Sequence, residues 1–285
     1  MGSRNAVAGF SLIELMISLV LGLLVIAAAA GIYLSNRETY RATDNLGVVQ
    51  ENIRTAFELM ARDIREAAGN PCVNNLPISN VVNNAASRWY TNLNAWNTAI
   101  EGFGPTAAFP GTTFGTAAGT RLSGTEAIQL FSGDDTVATV SGHDAASGQF
   151  TLNTTSSGFA TGDLMMVCNS RQAAVFQASA ASGSSVTLGT SGSPGNCSVN
   201  LGLIGEGQAC SARDPFPFSA PNSVMVKLNA ARWYIANNAN GRPSLYQSRL
   251  VGGNAAPQEV AEGVSNLSVR YLVRGDTEYR SASDV

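Results

Sequence analysis

The chain has 285 residues, enough for one large domain or two small ones, and only 13% are charged, about half the usual share. Its net charge of −3 supplies no basic field to draw nucleic acid by counterion release, so no nucleic-acid partner is expected. Gly, Ser, Thr, Asn and Ala take the place of the missing charges, a composition suited to a strand-and-loop surface rather than a helical enzyme.

The first element is the run from Phe10 to Leu34, FSLIELMISLVLGLLVIAAAAGIYL, apolar except for Glu14. No charged residue lies between Glu14 and Arg37, and a helix needs roughly 20 such residues to cross a bilayer core of about 30 Å. A buried core helix would show a polar face. A secretory signal would have an apolar part of about 7–15 residues and end at a small-residue cleavage site. Here the helical pattern continues past the apolar run.

From Ser35 to Ala68 the period changes. Leu46, Val49, Ile53, Phe57, Met60, Ile64 and Ala67 recur at steps of three and four, predicting one apolar helix face turned to a core. Arg54, Glu58, Arg62 and Glu66 alternate in sign on the opposite face, each i,i+4 step adding a few tenths of a kcal/mol. Arg37, Arg41, Asp44 and Glu51 share that polar side. Val48 and Leu59 fall among the charges, either as ordinary exposed hydrophobes or as contacts to neighbouring subunits. Gly22, Gly31 and Gly47 each cost about 1 kcal/mol against alanine and could let the helix bend. Gly69-Asn70-Pro71 is expected to end the helix, with Gly69 as its C-cap.

Residues 71–124 read as a long ordered excursion with short elements, anchored by Trp89, Tyr90 and Trp96. Strand signals then follow at 126–131, 136–140, 149–153, 163–168, 173–178, 185–189, 223–235, 244–249 and 264–273. The order predicts an α+β protein, its helix packed on an antiparallel sheet. The expected segments are a leader at 1–9, a lipid-suited helix at 10–34, an amphipathic helix at 35–69, and a β-rich globular domain at 70–285.

Catalytic signals are weak. His143 is the only histidine and reads as a solvated residue in a polar turn, SGHDAAS, without a G-x-S-x-G elbow to serve. Asp134-Asp135 resembles a turn, not the alternating ladder of a calcium loop. Residues 202–207, GLIGEG, lack the glycine order of a dinucleotide loop and the Lys and Ser/Thr of a P-loop. Three glycan sequons, at Asn153, Asn196 and Asn266, matter only in a glycosylating host. Cys72, Cys168, Cys197 and Cys210 contain no C-x-x-C pair, so neither a structural zinc nor any other metal or cofactor is expected. In an exported domain they imply two disulfides with three connectivities. The short span between Cys197 and Cys210 across a Gly-rich loop favours that pair, leaving Cys72 with Cys168.

The head of the chain carries more. MGSRNAVA, then Gly9, then FSLIELMIS resembles the type IV prepilin signature G-F-[ST]-L-I-E. RETYRATDNLG…QENIRTAFELMARDIREAAGNPC resembles the PilW family of minor pilins, as do, in patches, Arg232–Asn238 and Ala261–Tyr271. The resemblance implies that prepilin peptidase cuts between Gly9 and Phe10 and methylates the new Phe10 amine. It implies that Glu14 meets that amine on a neighbouring subunit. A carboxylate within a bilayer costs roughly 2.5 kcal/mol or more, so it calls for a partner, and a wrong stagger would leave it unpaired.

The implied role is structural and not enzymatic: a minor type IV pilin that initiates the pilus or sits in its tip complex. The implied partners are prepilin peptidase, other minor pilins, the major pilin and a tip adhesin. It also implies a single pass through the inner membrane with the globular domain in the periplasm, then extracellular after assembly. A minor pseudopilin of a type II secretion system, or a competence pilin, is the nearest alternative. A periplasmic binding domain or enzyme on a borrowed anchor is the alternative of another class. Family members run on into further C-terminal strand, so the chain is expected to be incomplete there, with an exposed sheet edge.

Overall fold

The computed structural model describes residues 11–72, 75–205 and 207–285. The leader, Gly9 and Phe10 lie outside the described residues. The chain divides into two units, Met1–Glu51 and Asn52–Val285, and helix α1 (Leu12–Glu66) contributes to both. Together they give an α+β arrangement of one long N-terminal apolar helix and a large mixed sheet.

In the first unit, every described residue from Ser11 to Val48 is exposed. In the second, Ala56 and Met60 of α1, with Ala67 just past its end, pack in one core with Ile128, Leu130, Trp233, Ile235 and Leu245. The apolar stripe read from the sequence is therefore turned partly outward: Ile53, Phe57 and Ile64 are exposed, Phe57 at 63%. The sheet surface beneath the helix already carries large side chains, and the small Ala56 row lets the two approach closely. Asp63, also on the inner row, fixes the rotation through hydrogen bonds to the sheet.

The helix does not end on Gly69. Ala68 adopts the left-handed conformation, φ 58°, and Gly69 N–H closes on the Glu66 carbonyl at 3.0 Å. Ala68 N–H then donates to the Phe131 carbonyl at 2.8 Å, and Gly133 N–H to the Gly69 carbonyl at 2.7 Å. The Trp96 indole caps the same end by donating to the Ala68 carbonyl at 2.8 Å.

Among the described residues the strands are β1 (Ile78–Asn80), β2 (Ile100–Phe103), β3 (Ala127–Asp144), β4 (Gln149–Leu152), β5 (Leu164–Cys168), β6 (Ala173–Gln177), β7 (Ala180–Ser182), β8 (Ser185–Thr187), β9 (Val224–Asn237), β10 (Pro243–Val251) and β11 (Asn254–Glu262). The main path runs β1-β6-β5-β9-β3-β4-β8-β7. Two long antiparallel strands, β3 and β9, form its spine. β5 and β10 pair with successive halves of β9, and β2 and β4 with successive halves of β3. β1 pairs parallel to β6, so the expected purely antiparallel sheet is mixed.

Strand β5, LMMVC, shows how the sheet is buried on both faces. Met165 and Val167 join one core with Phe150 and Phe176, while Leu164, Met166 and Cys168 join another with Phe131 and Val226. The excursion of residues 75–124 covers that second core with Trp89, Tyr90 and Trp96, half-buried as the anchors expected of them.

Three strand readings change. The runs at 126–131 and 136–140 are one strand, because Asp134-Asp135 lies in a bulge between Gly133 and Val137 where the end of α1 docks, not in a turn. The run at 264–273 forms no strand, only an isolated bridge at Tyr271–Arg280. Its Val269 N–H donates to the Glu126 carboxylate instead of a ladder carbonyl. The outer strand beside β10 is β11, whose Pro257, Glu259 and Glu262 are charges and breaks common on edges.

Candidate functional site

The site begins at Ser11. Its hydroxyl accepts from the Glu14 N–H at 3.2 Å, and the Glu14 carboxylate accepts from the Ser11 N–H at 3.1 Å. This reciprocal S-x-x-E box satisfies two of the orphan donors at the start of α1. Within a single chain, then, Glu14 is held by the helix start. The S-x-x-E spacing is present in the sequence, but the resemblance points to intersubunit pairing instead.

From Leu15 to Asn36 the helix carries no charge on any face. Among the described residues α1 is the one helix long and apolar enough to cross a membrane, with mean hydropathy 2.7 over its best window. A Cβ added at Gly22, Gly31 or Gly47 would meet nothing within 4 Å. No contact within the described chain requires glycine at these three positions.

Lower on the helix, Asp63 is 92% buried by its 8% exposure and receives three donors. They are the Trp233 indole at 2.9 Å, the Gln247 amide at 2.7 Å and the Arg249 guanidinium at 3.5 Å. These reach β9 and β10, so one carboxylate couples the helix to the centre of the sheet. Sequence reading missed it, because a lone Asp on an otherwise charged segment reads as solvated. Val48 and Leu59 are exposed, as are Ile53, Phe57 and Ile64.

The four cysteines form Cys72–Cys168 and Cys197–Cys210 bridges. The first ties the segment just after α1 to the end of β5.

His143 is not a solvated turn residue. It lies in β3, its ring stacked on Phe150 at 3.9 Å between centroids. Its Nδ1 accepts from the Phe218 N–H at 3.1 Å, and its Nε2 is buried without a partner. Burial, outweighing the opposing charge of Asp144, lowers its pKa to about 4. The ring is thus a neutral packing element, and among the described residues no nucleophile is hydrogen-bonded to it. Asn196, a sequon residue, is buried with its amide donating to the Gln177 and Gly189 carbonyls, so no glycan fits there in the folded state. Among the described residues no group of three His, Cys, Asp or Glu is placed to hold a metal.

Residues 4–30 match the prokaryotic N-terminal methylation motif. No curated protein and no solved structure matches the chain. The motif supports a type IV pilin-like or pseudopilin-type protein, a structural class. It implies processing by prepilin peptidase and assembly with other pilins. The apolar helix and the motif agree with a single-pass inner-membrane anchor. Gly9 and Phe10, the expected cleavage and methylation positions, fall inside the matched stretch.

Proposed function

We propose that the chain is a minor type IV pilin of the PilW kind. It is cut between Gly9 and Phe10, methylated on the Phe10 amine, and anchored once in the inner membrane with residues 70–285 in the periplasm. It joins other minor pilins to start the pilus or form its tip, above the major pilin. The observation that carries this reading is Glu14: a single carboxylate in the matched motif, followed by an apolar helix with no other charge before Arg37.

The chemistry supports an exchange of partners at Glu14. Among the described residues its carboxylate accepts only the neutral Ser11 N–H. In a helix bundle the positively charged Phe10 amine of a neighbouring subunit offers a stronger, charge-assisted bond. Leaving the carboxylate unpaired among apolar helices is costly, so the pairing selects one stagger. Exposed Ile53, Phe57 and Ile64 extend an apolar row along the same helix, as a subunit in a filament would need.

The test is a Glu14→Ala variant expressed in place of the wild type in a piliated host. Processing and membrane insertion should persist while surface pili fall sharply. Wild-type piliation from a processed Glu14→Ala chain would reject the assembly role. Co-purification with major pilin, rather than with secretion-system pseudopilins, separates the pilus reading from the secretion one.

A further inference from the structure

An open cavity of about 650 Å³ lies over β9, walled by Trp89, Phe109 and Tyr234 and edged by Thr112, Thr120 and Ser248. Arg121 and Arg232 also line it, each only 4% exposed. Buried cations normally rest on carboxylates, because an unpaired charge out of water is expensive. Among the described residues neither guanidinium forms an ion pair.

The two arginines do different work. Arg121 is spent on the fold: its Nη atoms donate to the carbonyls of Phe103, Gly104, Ala107 and Thr125, pinning the loop that forms one wall. Arg232 is not. Its Nε donates to Gln129 Oε1 at 2.7 Å, and Gln129 in turn donates to Glu101 at 3.3 Å. Its two Nη atoms find no acceptor among the described residues. The guanidinium carbon sits 4.5 Å from the Trp89 ring centroid and 4.1 Å from that of Phe109, so the plane is held by aromatic faces.

Burial pushes the pKa of Arg232 down to about 9 and that of Arg121 to about 10; at Arg232 the charge of Glu101, beyond Gln129, offsets part of the depression and that of Arg121 adds to it. An anion entering the cavity would relieve both cations. The free pair of Nη donors is planar, which matches a carboxylate. The rest of the wall is aromatic and hydroxyl-bearing, which a bare inorganic anion would not use. The volume falls in the range of about 300–1,000 Å³ common to small-ligand sites.

We propose that this cavity binds an acidic sugar, its carboxylate accepting from the Arg232 Nη atoms, its ring against the aromatic wall and its hydroxyls on Thr112, Thr120 and Ser248. The site does not depend on the pilin reading, since binding is measured on the isolated chain.

The test is titration calorimetry on the full chain in detergent micelles, with glucuronic acid, N-acetylneuraminic acid, glucose and inorganic phosphate as separate probes. At least one of the two acids should bind saturably and at least about tenfold more tightly than glucose or phosphate. Arg232→Gln should weaken that binding at least about tenfold, a loss in the range of a charged hydrogen-bonded pair. Thr112→Trp, on the exposed rim, should block the cavity without touching either buried arginine, and it keeps the test decisive if Arg232→Gln unfolds. No binding of either acid, glucose or phosphate binding equally well, or undiminished binding to Thr112→Trp would overturn the proposal.

Discussion

The carboxylate of Asp63, on the inner row of the helix, accepts a hydrogen bond from the indole of Trp233 at 2.9 Å. Trp233 is fully buried on β9, so this bond joins the long N-terminal helix to the spine of the sheet. Asp63→Ala should leave the indole N–H buried and unpaired at a cost of about 2–3 kcal/mol. Asp63→Asn, which keeps an acceptor oxygen, should lose less than half as much. Urea denaturation of the full chain in detergent, followed by tryptophan fluorescence, measures both.

Ala68 carries a positive φ that alanine adopts only under strain. Its N–H and carbonyl both have partners, so the backbone is held there and Ala68→Gly should relieve the strain without moving it. A gain of about 0.5–1 kcal/mol is expected in the same denaturation assay. Gly69→Ala should not reproduce this gain.

His143 makes stability depend on pH. Its folded pKa, about 4, lies below the ordinary 6.5. The folded state therefore resists protonation that the unfolded chain accepts. Stability should be full above about pH 6.5, decline as pH falls toward 4, and level off below, with a total loss of at most about 3 kcal/mol from this group. Melting temperature across that range checks it. His143→Phe should flatten the slope, at a constant cost from the Phe218 N–H that loses its acceptor.

The two disulfides should contribute unequally. Cys72 and Cys168 are 96 residues apart in sequence, Cys197 and Cys210 only 13. By chain entropy the longer loop is worth about 1–2 kcal/mol more. Replacing Cys72 and Cys168 by Ser should thus lower stability more than replacing the other pair. It should also expose the segment after α1 to proteolysis, which a protease footprint would show.

The helix was legible because an uncharged run and a period of three and four leave few other readings. Its rotation was not, since the periodicity cannot weigh Phe57 against the bulk of Trp233 and Leu245 beneath it. The single strand β3 was hidden by Asp134-Asp135, a turn signal in isolation that the structure absorbs as a bulge where Gly133 meets Gly69. β11 was missed because an edge strand needs few apolar residues and tolerates Pro257. The run at 264–273 alternates convincingly, yet a carboxylate, Glu126, takes the N–H that a ladder would have used. Arg121 and Arg232 carried no pattern at all, because only the meeting of β9 with the loop at 103–125 puts two cations beside the same Phe109 ring.

The head of the chain is the reverse case: GFSLIE is short, specific and readable without a fold. Intact-mass and N-terminal analysis of the chain purified from a host with active prepilin peptidase tests its meaning most directly. The mature protein should begin at Phe10 and carry one methyl group on that amine, and Gly9→Leu should leave the uncut precursor. A chain that keeps residues 1–9 under those conditions, or begins at any other residue, would contradict the assignment.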